Sequence, residues 1–330
     1  MYGEEVMVSI CCLAYNHELY IRQCLDGFLM QKTTFRFEVL IHDDASTDRT
    51  AEIIREYEKK YPDIIKPIYQ EENQYSKGIR ISHVFQYPRA KGKYIALCEG
   101  DDYWIDDQKL QKQFDALEEN PNCFFCAHRV YVECFDDEKN NYYLPKGDEC
   151  KGIISSDVFF DLASNYQIQT SSYFFLNLPE MKNGDYPEFF SVIDVGDTPL
   201  MLLFASKSNL YYYDDIMSCY RSGTPNGWTS SFSRSDHYLM RIEMFKEFNK
   251  YSEFRFSQKC EKKIQEMEFA MLSSNGDYKS MLSKKYRSLL KQMPNKYRLF
   301  IVLSGYLPHV MKVRKHIMSY IHKKKYEVNK

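Results

Sequence analysis

The chain has 330 residues, of which 44% are hydrophobic and 27% charged, values that fit a folded globular protein and exclude a disordered or low-complexity chain. The formal net charge of −2 provides no overall positive field that would favour nucleic acid. Charge is unevenly distributed, because residues 295–330 contain nine Lys or Arg and one acidic residue, Glu327. A basic tail on an acidic body predicts a surface with a partner of its own.

The sequence favours a reduced, cytosolic setting. The N-terminal residues MYGEEVMVSI lack the basic start and apolar run of a secretory signal, and no window holds 18 apolar residues. The ten cysteines are therefore interpreted as thiols. The single C-x-x-C pair, Cys123 and Cys126, falls in a predicted strand, which directs the two sulfurs to opposite faces.

Strands and helices are predicted to alternate through the first part of the chain. Short apolar runs indicate strands, and apolar residues at helical spacing indicate helices. In chain order we predict a strand at 6–13, a helix at 20–30, a strand at 37–42, a helix at 51–61, a strand at 64–70, a helix at 79–90 and a strand at 93–98. This alternation predicts an α/β fold with a mostly parallel sheet and helices on both faces.

The later part of the chain has a less regular pattern. It predicts a helix at 108–119, a strand near 124–133, a mixed region to about 235 and helices over 236–290. The segment 296–330 alternates large apolar residues with Lys, Arg and His, which is typical of a basic amphipathic element. Such an element binds the surface of an anionic membrane or packs on the protein with its basic face in water, and both interpretations stay open.

Two acidic pairs follow predicted buried strands, where ligands of such sheets bind. Asp101 and Asp102 repel one another unless a cation lies between them, and carboxylate oxygens suit Mg²⁺ or Mn²⁺; the alternative is a polar turn. Asp43 and Asp44 follow the second strand and would accept hydrogen bonds from a base or a ribose; the alternative is a helix cap.

Two further segments allow both a structural and a chemical role. Asp197 precedes a Pro-started apolar helix, so it is either an N-terminal cap or a general base at the mouth of a cleft. Arg221 precedes the Gly- and Pro-rich segment 223–228, which is either a loop that closes over an anionic ligand or an ordinary surface loop. Motifs of dinucleotide dehydrogenases, P-loop hydrolases, α/β-hydrolases and H-E-x-x-H metalloproteases are absent from the sequence.

Three runs in order, VSICCLAYNHELYIRQCLDGFL, VLIHDDASTDRTAEII and KGKYIALCEGDDYW, resemble family 2 glycosyltransferases of the GT-A fold. The resemblance is strong over residues 6–120 and looser over 185–235. It implies that Ala14 and Tyr15 frame the nucleotide base, and that Asp43, with Asp44 beside it, reads the base or ribose.

The same resemblance assigns the remaining site residues. Asp101 would lie near the ribose or metal, Asp102 would ligate Mn²⁺ or Mg²⁺, Asp197 would be the catalytic base and Arg221 would help to hold the diphosphate. Two positions depart from the family pattern: Glu99 replaces its usual first Asp, and Ser222-Gly223 stands where many relatives have a His two residues after the Arg. His237 lies too far along the chain to be assumed a substitute.

The expected protein is an inverting, metal-dependent glycosyltransferase that moves a sugar from a nucleotide-sugar donor, with UDP-sugars favoured, to a glycan or lipid-linked saccharide. Residues 1–235 are expected to form the GT-A domain, with 1–105 binding the donor and 106–235 the acceptor. Residues 236–330 are expected to form a helical extension whose tail, 296–330, contacts an anionic membrane at its cytoplasmic face. The alternatives are a catalytically silent nucleotide- or glycan-binding module and a sugar-phosphate nucleotidyltransferase.

Overall fold

The structure is a computed structural model, and it describes residues 5–135, 140–145, 151–193, 196–224 and 234–307. The chain divides into two compact units, Met1–Ser231 and Phe232–Lys330. In the described residues the first unit contains a ten-stranded sheet with helices, and the second contains helices alone.

The strands of the first unit are β1 (Val6–Ala14), β2 (Arg36–Asp43), β3 (Ile65–Tyr69), β4 (Tyr94–Leu97), β5 (Tyr103–Trp104), β6 (Cys123–Cys134), β7 (Tyr142–Leu144), β8 (Gly152–Ile154), β9 (Phe174–Leu176) and β10 (Asn209–Ser222). Its helices are α1 (Ile21–Leu29), α2 (Thr50–Lys60), α3 (Lys109–Glu119), α4 (Ser156–Ser164), α5 (Pro179–Asn183) and α6 (Asp197–Lys207). The second unit contains α7 (Arg234–Tyr251), α8 (Ser257–Ser274), α9 (Tyr278–Met281), α10 (Arg287–Gln292) and α11 (Asn295–Tyr306).

The sheet runs in the order β3-β2-β1-β4-β9-β6-β10-β5, with β7 added to β6 and β8 added to β10. Strands β3, β2, β1 and β4 are mutually parallel, and β6 is parallel to β10. Strand β9 is antiparallel to both β4 and β6 and joins the two parallel parts. The predicted α/β class and the predicted alternation of strands and helices are therefore confirmed.

The central strands are buried because their side chains are apolar on both faces. In β1 every residue from Val8 to Cys12 is buried, and all four residues of β4 are buried. Continuous apolar runs of this kind are typical of parallel strands covered on both sides. They fix the sheet in the interior, so the polar segments that follow the strands reach the surface at one edge.

The segment predicted as a helix at 79–90 is helical, but it is not a regular α-helix. The structure has a π-helical turn at Ser82–Gln86 and a 3₁₀ turn at Tyr87–Arg89. Pro88 lies in the 3₁₀ turn, and its ring lacks the N–H donor that a continued α-helix would need there.

The described residues also show the state of the cysteines and the length of the apolar helices. The nine cysteines that the structure describes are all free, and all except Cys134 are buried. No helix within the described ranges has the length and apolar character needed to cross a bilayer.

Candidate active site

The carboxyl ends of β1, β2 and β4 meet at one edge of the sheet. In the parallel register, Ala14 at the end of β1 lies opposite Asp43 at the end of β2. Backbone hydrogen bonds join the segments that follow: Asp44 N–H donates to Ala14 O at 2.9 Å, and Gly100 N–H donates to Leu13 O at 2.8 Å. The edge therefore brings together the first-strand exit and both acidic pairs that the sequence analysis identified.

Asp43 is a buried carboxylate with a fixed orientation. Its Oδ1 accepts a hydrogen bond from Ser46 Oγ at 2.5 Å, and Ser46 Oγ accepts one from the Asn16 N–H at 2.9 Å. Burial raises the pKa of Asp43, and the Ser46 hydrogen bonds oppose that rise. Tyr15 directly follows Ala14, the register partner of Asp43, and is 39% exposed, so it offers an accessible ring at the end of β1.

Asp44 has a different set of contacts from its neighbour Asp43. Its two carboxylate oxygens accept hydrogen bonds from the backbone N–H groups of Gln74 and Tyr75, at 2.8 and 3.0 Å. The buried His42 ring lies below it, with Nε2 3.5 Å from Asp44 Oδ1. These contacts make Asp44 the anchor of the segment that follows β3.

Asp102 is fully buried in the acidic segment between β4 and β5. Its Oδ1 accepts a hydrogen bond from the Arg221 N–H at 2.9 Å, and its Oδ2 accepts one from Gln169 Nε2 at 3.5 Å. Asp101 beside it accepts a hydrogen bond from Thr224 Oγ1 at 3.2 Å. Residues 225–228 of the predicted closing loop lie outside the described residues.

Four carboxyl groups influence one another at this edge. Burial, followed by the charges of Asp101 and Glu99, raises the pKa of Asp102 well above its usual value. Burial, followed by the charges of Asp101 and Asp197, raises the pKa of Glu99 to about 8. Asp197 is distant in sequence, yet the fold brings it close enough to act on Glu99. The site is therefore a group of interacting carboxyl groups, in which Asp102 and Glu99 hold their protons more tightly than isolated carboxyl groups do.

Asp197 is the first residue of α6, and its Oδ1 accepts a hydrogen bond from the Thr198 N–H at 2.6 Å. The N-cap position is Gly196, so Asp197 is not the cap that the sequence allowed; its carboxylate lies in the first turn, where the helix dipole stabilises it. Its charge also raises the pKa of the buried Tyr173 hydroxyl, after the larger effect of burial. Asp197 thus begins its helix and lies close enough to the acidic segment to act on Glu99.

Arg221, near the end of β10, binds the acidic segment from the side. Its Nη1 donates to the Asp101 carbonyl at 2.6 Å, and its Nε lies 3.5 Å from Glu133 Oε2. The guanidinium also stacks over the Tyr103 ring, 4.4 Å from the centroid. In this arrangement Arg221 positions the Asp101–Asp102 segment through both its backbone and its side chain.

Three residues at the site were not identified from the sequence. His17 lies with Nε2 4.0 Å from Asp101 Oδ2, and Gln169 and Glu133 contact Asp102 and Arg221 as described above. Because His17 stands three residues after β1, the sequence could have indicated it as a residue of the site. Gln169 and Glu133 lie in segments without a recognisable local motif.

Trp104 follows the acidic segment in the chain, and its side chain is buried in the interior. The Trp104 ring packs against Phe28 at 4.7 Å between centroids, and its Nε1 donates to Ser171 O at 3.1 Å. The buried Lys109 lies over the same ring at 3.9 Å and donates to Gln113 Oε1 at 2.7 Å. Burial lowers the pKa of Lys109 to about 7. These contacts hold the acidic segment on a rigid base.

Aromatic rings flank Asp197 on another side. The His83 ring lies 4.2 Å from Tyr186 and 5.6 Å from Phe190, centroid to centroid, and next to Gly196. Burial lowers the pKa of His83 to about 3, so its imidazole is neutral at physiological pH. Its buried Nε2 has no hydrogen-bond partner among the described residues. This group of rings is therefore a largely buried aromatic cluster, with Phe190 only 2% exposed.

Gly100 is required by close contacts at the turn before Asp101. A Cβ at this position would lie 2.8 Å from His17 Nδ1, 3.0 Å from Ile21 Cδ1 and 3.1 Å from Leu13 O. We expect Gly100→Ala to lower the melting temperature by several degrees, because overpacking costs about 1–3 kcal/mol, and to weaken nucleotide binding. Gly196→Ala is the matched control, since its added Cβ would meet one atom at 3.7 Å. Equal melting temperatures for the two variants would contradict the crowding argument.

The chemistry of the acidic segment fits a divalent cation. Asp102 is buried beside like charges, and a cation would relieve the repulsion that raises its pKa. Among the described residues, no three His, Cys, Asp or Glu side chains are grouped as a preformed metal cage. Magnesium sites commonly use one or two carboxylates completed by substrate phosphates, so Asp102 with Asp101 is a sufficient protein contribution.

Comparison with known proteins gives a consistent family assignment. The model of "Glycosyl transferase family 2" matches residues 9–175. An uncharacterised protein of Mycobacterium tuberculosis is 35% identical over 226 residues, which cover 68% of this chain and 62% of that protein. The chain therefore spans less than two thirds of the length of this relative.

Two further proteins are similar to the chain. The Escherichia coli enzyme named UDP-Glc:α-D-GlcNAc-diphosphoundecaprenol β-1,3-glucosyltransferase WfaP is 30% identical over 203 residues, covering 61% of this chain and 71% of that enzyme. The structure of residues 1–349 of Staphylococcus aureus TarS, in complex with UDP-GlcNAc, superposes with a TM-score of 0.62 at 16% identity, covering 86% and 80% of the two chains. The latter similarity confirms the predicted GT-A type of fold.

Proposed function

Because the chain belongs to glycosyl transferase family 2, we propose that it transfers a sugar from a nucleotide-sugar donor to a hydroxyl group of a saccharide acceptor. The observation that carries this proposal is the cluster of four carboxyl groups at the carboxyl edge of the sheet, Glu99, Asp101, Asp102 and Asp197. Neighbouring carboxyl groups whose pKa values are raised in this way are typical of functional sites, and a cationic ligand would compensate their mutual repulsion.

The donor lies across the ends of β1, β2 and β4 in this proposal. Asp43, held by Ser46, accepts hydrogen bonds from the base or ribose, and Ala14 and Tyr15 bound the base pocket. Asp44 shapes the pocket indirectly, through the backbone of residues 74 and 75. UDP-sugars are the favoured donors, supported by the names of WfaP and of the TarS complex.

Asp102, with Asp101 beside it, would hold Mn²⁺ or Mg²⁺. When bound there, the cation would supply positive charge opposite the diphosphate that leaves. The chain's own contribution is the orientation of Asp102, through the Arg221 N–H and Gln169, and the exclusion of water by its burial. We propose that Arg221 acts mainly by holding this segment, since its guanidinium is bound to Asp101 O and paired with Glu133.

Asp197 acts as the general base. A sugar hydroxyl is a weak nucleophile at neutral pH, so the Asp197 carboxylate accepts its proton while the new bond to the anomeric carbon forms. The bond between that carbon and the diphosphate oxygen breaks at the same time, and the diphosphate leaves with the electron pair. One displacement from the opposite face inverts the anomeric centre and needs no enzyme nucleophile.

The acceptor approaches over the His83, Tyr186 and Phe190 rings next to Asp197. We propose that residues 1–105 bind the donor and that residues 106–235, with these rings, define the acceptor side. A glycan or lipid-linked saccharide is the proposed acceptor, supported by the diphosphoundecaprenol-linked substrate in the name of WfaP. Such an acceptor places the enzyme at the cytoplasmic face of a membrane, with the basic tail, 296–330, as its contact.

A nucleotide screen tests the donor class. We expect UDP to raise the melting temperature more than GDP or dTDP, and only with Mn²⁺ or Mg²⁺ present. A ligand at 100 times its dissociation constant stabilises the folded state by roughly 2.7 kcal/mol, which is a readable shift. If none of the three nucleotides changes the melting temperature in the presence of metal, the donor site is wrongly assigned and a nucleotide-independent binding module is favoured.

A further inference from the structure

We propose that the outer face of α11 and its basic surroundings in the second unit form a docking surface for an anionic lipid bilayer. This inference rests on the membrane contact proposed above for the basic tail and names the part of the tail that carries it; residues 308–330 lie outside the described residues. It does not depend on the carboxylate site. The surface consists of the exposed stripe of α11 together with the cations of residues 278–307, and it uses described residues only.

Helix α11 is fixed to the second unit by one face. Ile301 is buried in a small apolar cluster with Met281 and Leu290. Gly305 permits the close approach, because a Cβ there would lie 2.9 Å from Leu282 Cδ1 and 3.2 Å from the Tyr278 carbonyl oxygen. One side of α11 is thus packed, and its opposite side is directed away from this cluster.

The opposite side of α11 is apolar and exposed. Leu299 is 59% exposed and Tyr306 is 72% exposed, and they lie at i and i+7, on the same side of the helix. Phe300 and Leu307, at the neighbouring i+1 and i+8 positions, are 37% and 49% exposed. Four large apolar side chains therefore form a continuous stripe. A stripe of four exposed apolar side chains on a folded unit indicates an interaction site.

The positive charge of the segment that contains this stripe indicates an anionic partner. Residues 278–307 contain seven Lys or Arg and no Asp or Glu. Six of the seven cations are exposed; Lys285 among them pairs with Glu268 of α8, and Lys296 lies in line with Leu299 on the stripe itself. A segment that combines such cations with exposed aliphatic and aromatic side chains matches the anionic headgroups and upper acyl region of a bilayer.

The dimensions of α11 agree with a helix that lies on the membrane. Its 12 residues span roughly 18 Å, which is shorter than the roughly 30 Å hydrocarbon core. The described residues contain no helix capable of spanning a bilayer. Leucine and aromatic side chains on one face, with lysine at the boundary, are the composition of interfacial helices.

Vesicle sedimentation with the full-length protein tests the proposal. We expect binding to phosphatidylcholine vesicles that contain about 30% phosphatidylglycerol, little binding to pure phosphatidylcholine, and marked loss in about 0.5 M NaCl. The double variant Leu299→Glu/Tyr306→Glu should bind at least about tenfold more weakly. Leu239→Glu is the matched control, because Leu239 is an exposed apolar residue on α7 of the same unit and is 52% exposed.

The outcomes separate this proposal from the proposed function. Unchanged nucleotide-dependent stabilisation in the double variant, with vesicle binding lost, supports the docking surface whatever the transfer activity is. Equal vesicle binding by the wild type and the double variant overturns it. Loss of a dimer in the double variant, measured by light scattering without vesicles, also overturns it, because the stripe would then face a second copy of the chain.

Discussion

We expect Asp102→Asn to reduce sugar transfer by about a thousandfold or more, equivalent to roughly 4 kcal/mol of transition-state stabilisation. The reason is that Asp102 is the buried carboxylate of the acidic segment, held by the Arg221 N–H at 2.9 Å, and an amide ligates a divalent cation far more weakly than a carboxylate. The measurement is the rate of nucleoside diphosphate release at saturating donor. Metal-dependent stabilisation by the nucleotide should be lost in parallel.

The same substitution should not weaken the fold. Burial and neighbouring charges raise the pKa of Asp102, so the native state binds this proton more tightly than the unfolded chain. The stabilisation from the protonated group is fully present below the ordinary pKa of an Asp, and it is lost as pH rises through the raised pKa. Asn has no charge at any pH and still accepts the Arg221 hydrogen bond.

The melting temperature of Asp102→Asn without metal at neutral pH should therefore equal or exceed that of the wild type. A fall of several degrees would mean that Asp102 has a structural role and that the lost activity reflects misfolding. Asp107→Asn is the matched control: Asp107 lies shortly after β5, and its side chain is 39% exposed and pairs with Lys32. This control should keep both its activity and its response to metal.

We expect Asp197→Asn to lower kcat by roughly a hundred- to ten-thousandfold, the usual contribution of a general base. The amide keeps the size of the carboxylate, and its oxygen can still accept the Thr198 N–H, so the start of α6 should keep its structure. Donor affinity should change by less than about twofold, because the base acts on the acceptor hydroxyl. Equilibrium binding of the donor and single-turnover transfer rates measure the two quantities separately.

Asp197→Asn also distinguishes the competing functions. A silent binding module would show no transfer in the wild type or the variant. A sugar-phosphate nucleotidyltransferase would form pyrophosphate instead of a nucleoside diphosphate. If the variant keeps more than about half of the wild-type rate, Asp197 only stabilises the first turn of its helix and the base must be sought elsewhere.

The sheet and the acidic segments were predictable from the sequence because both are local features. The strands β2 and β4 contain short apolar runs, and the carboxylates stand at or after their ends, so strand periodicity was enough to locate Asp43 and Asp102 at one edge. The segment predicted as a helix at 79–90 is helical, but its π and 3₁₀ turns could not be distinguished from a regular α-helix by periodicity alone.

The remaining features depend on tertiary structure. Gln169 and Asp102 are 67 positions apart, and Arg221 and Asp102 are 119 apart, so their contacts depend on the register of distant strands. The neighbours Asp43 and Asp44 look equivalent in the sequence, but successive side chains of an extended chain point in opposite directions. One is held by Ser46 and the other anchors the segment after β3, a distinction that only the fold reveals.

The central claim is that this edge of the sheet performs a single inverting displacement on a nucleotide-sugar. The most direct test is proton NMR of the first product formed from the UDP-sugar that stabilises the wild-type protein in the presence of Mn²⁺. We predict release of UDP together with a product whose anomeric configuration is opposite to that of the donor. A product with the donor's configuration, or release of pyrophosphate in place of UDP, would contradict the account.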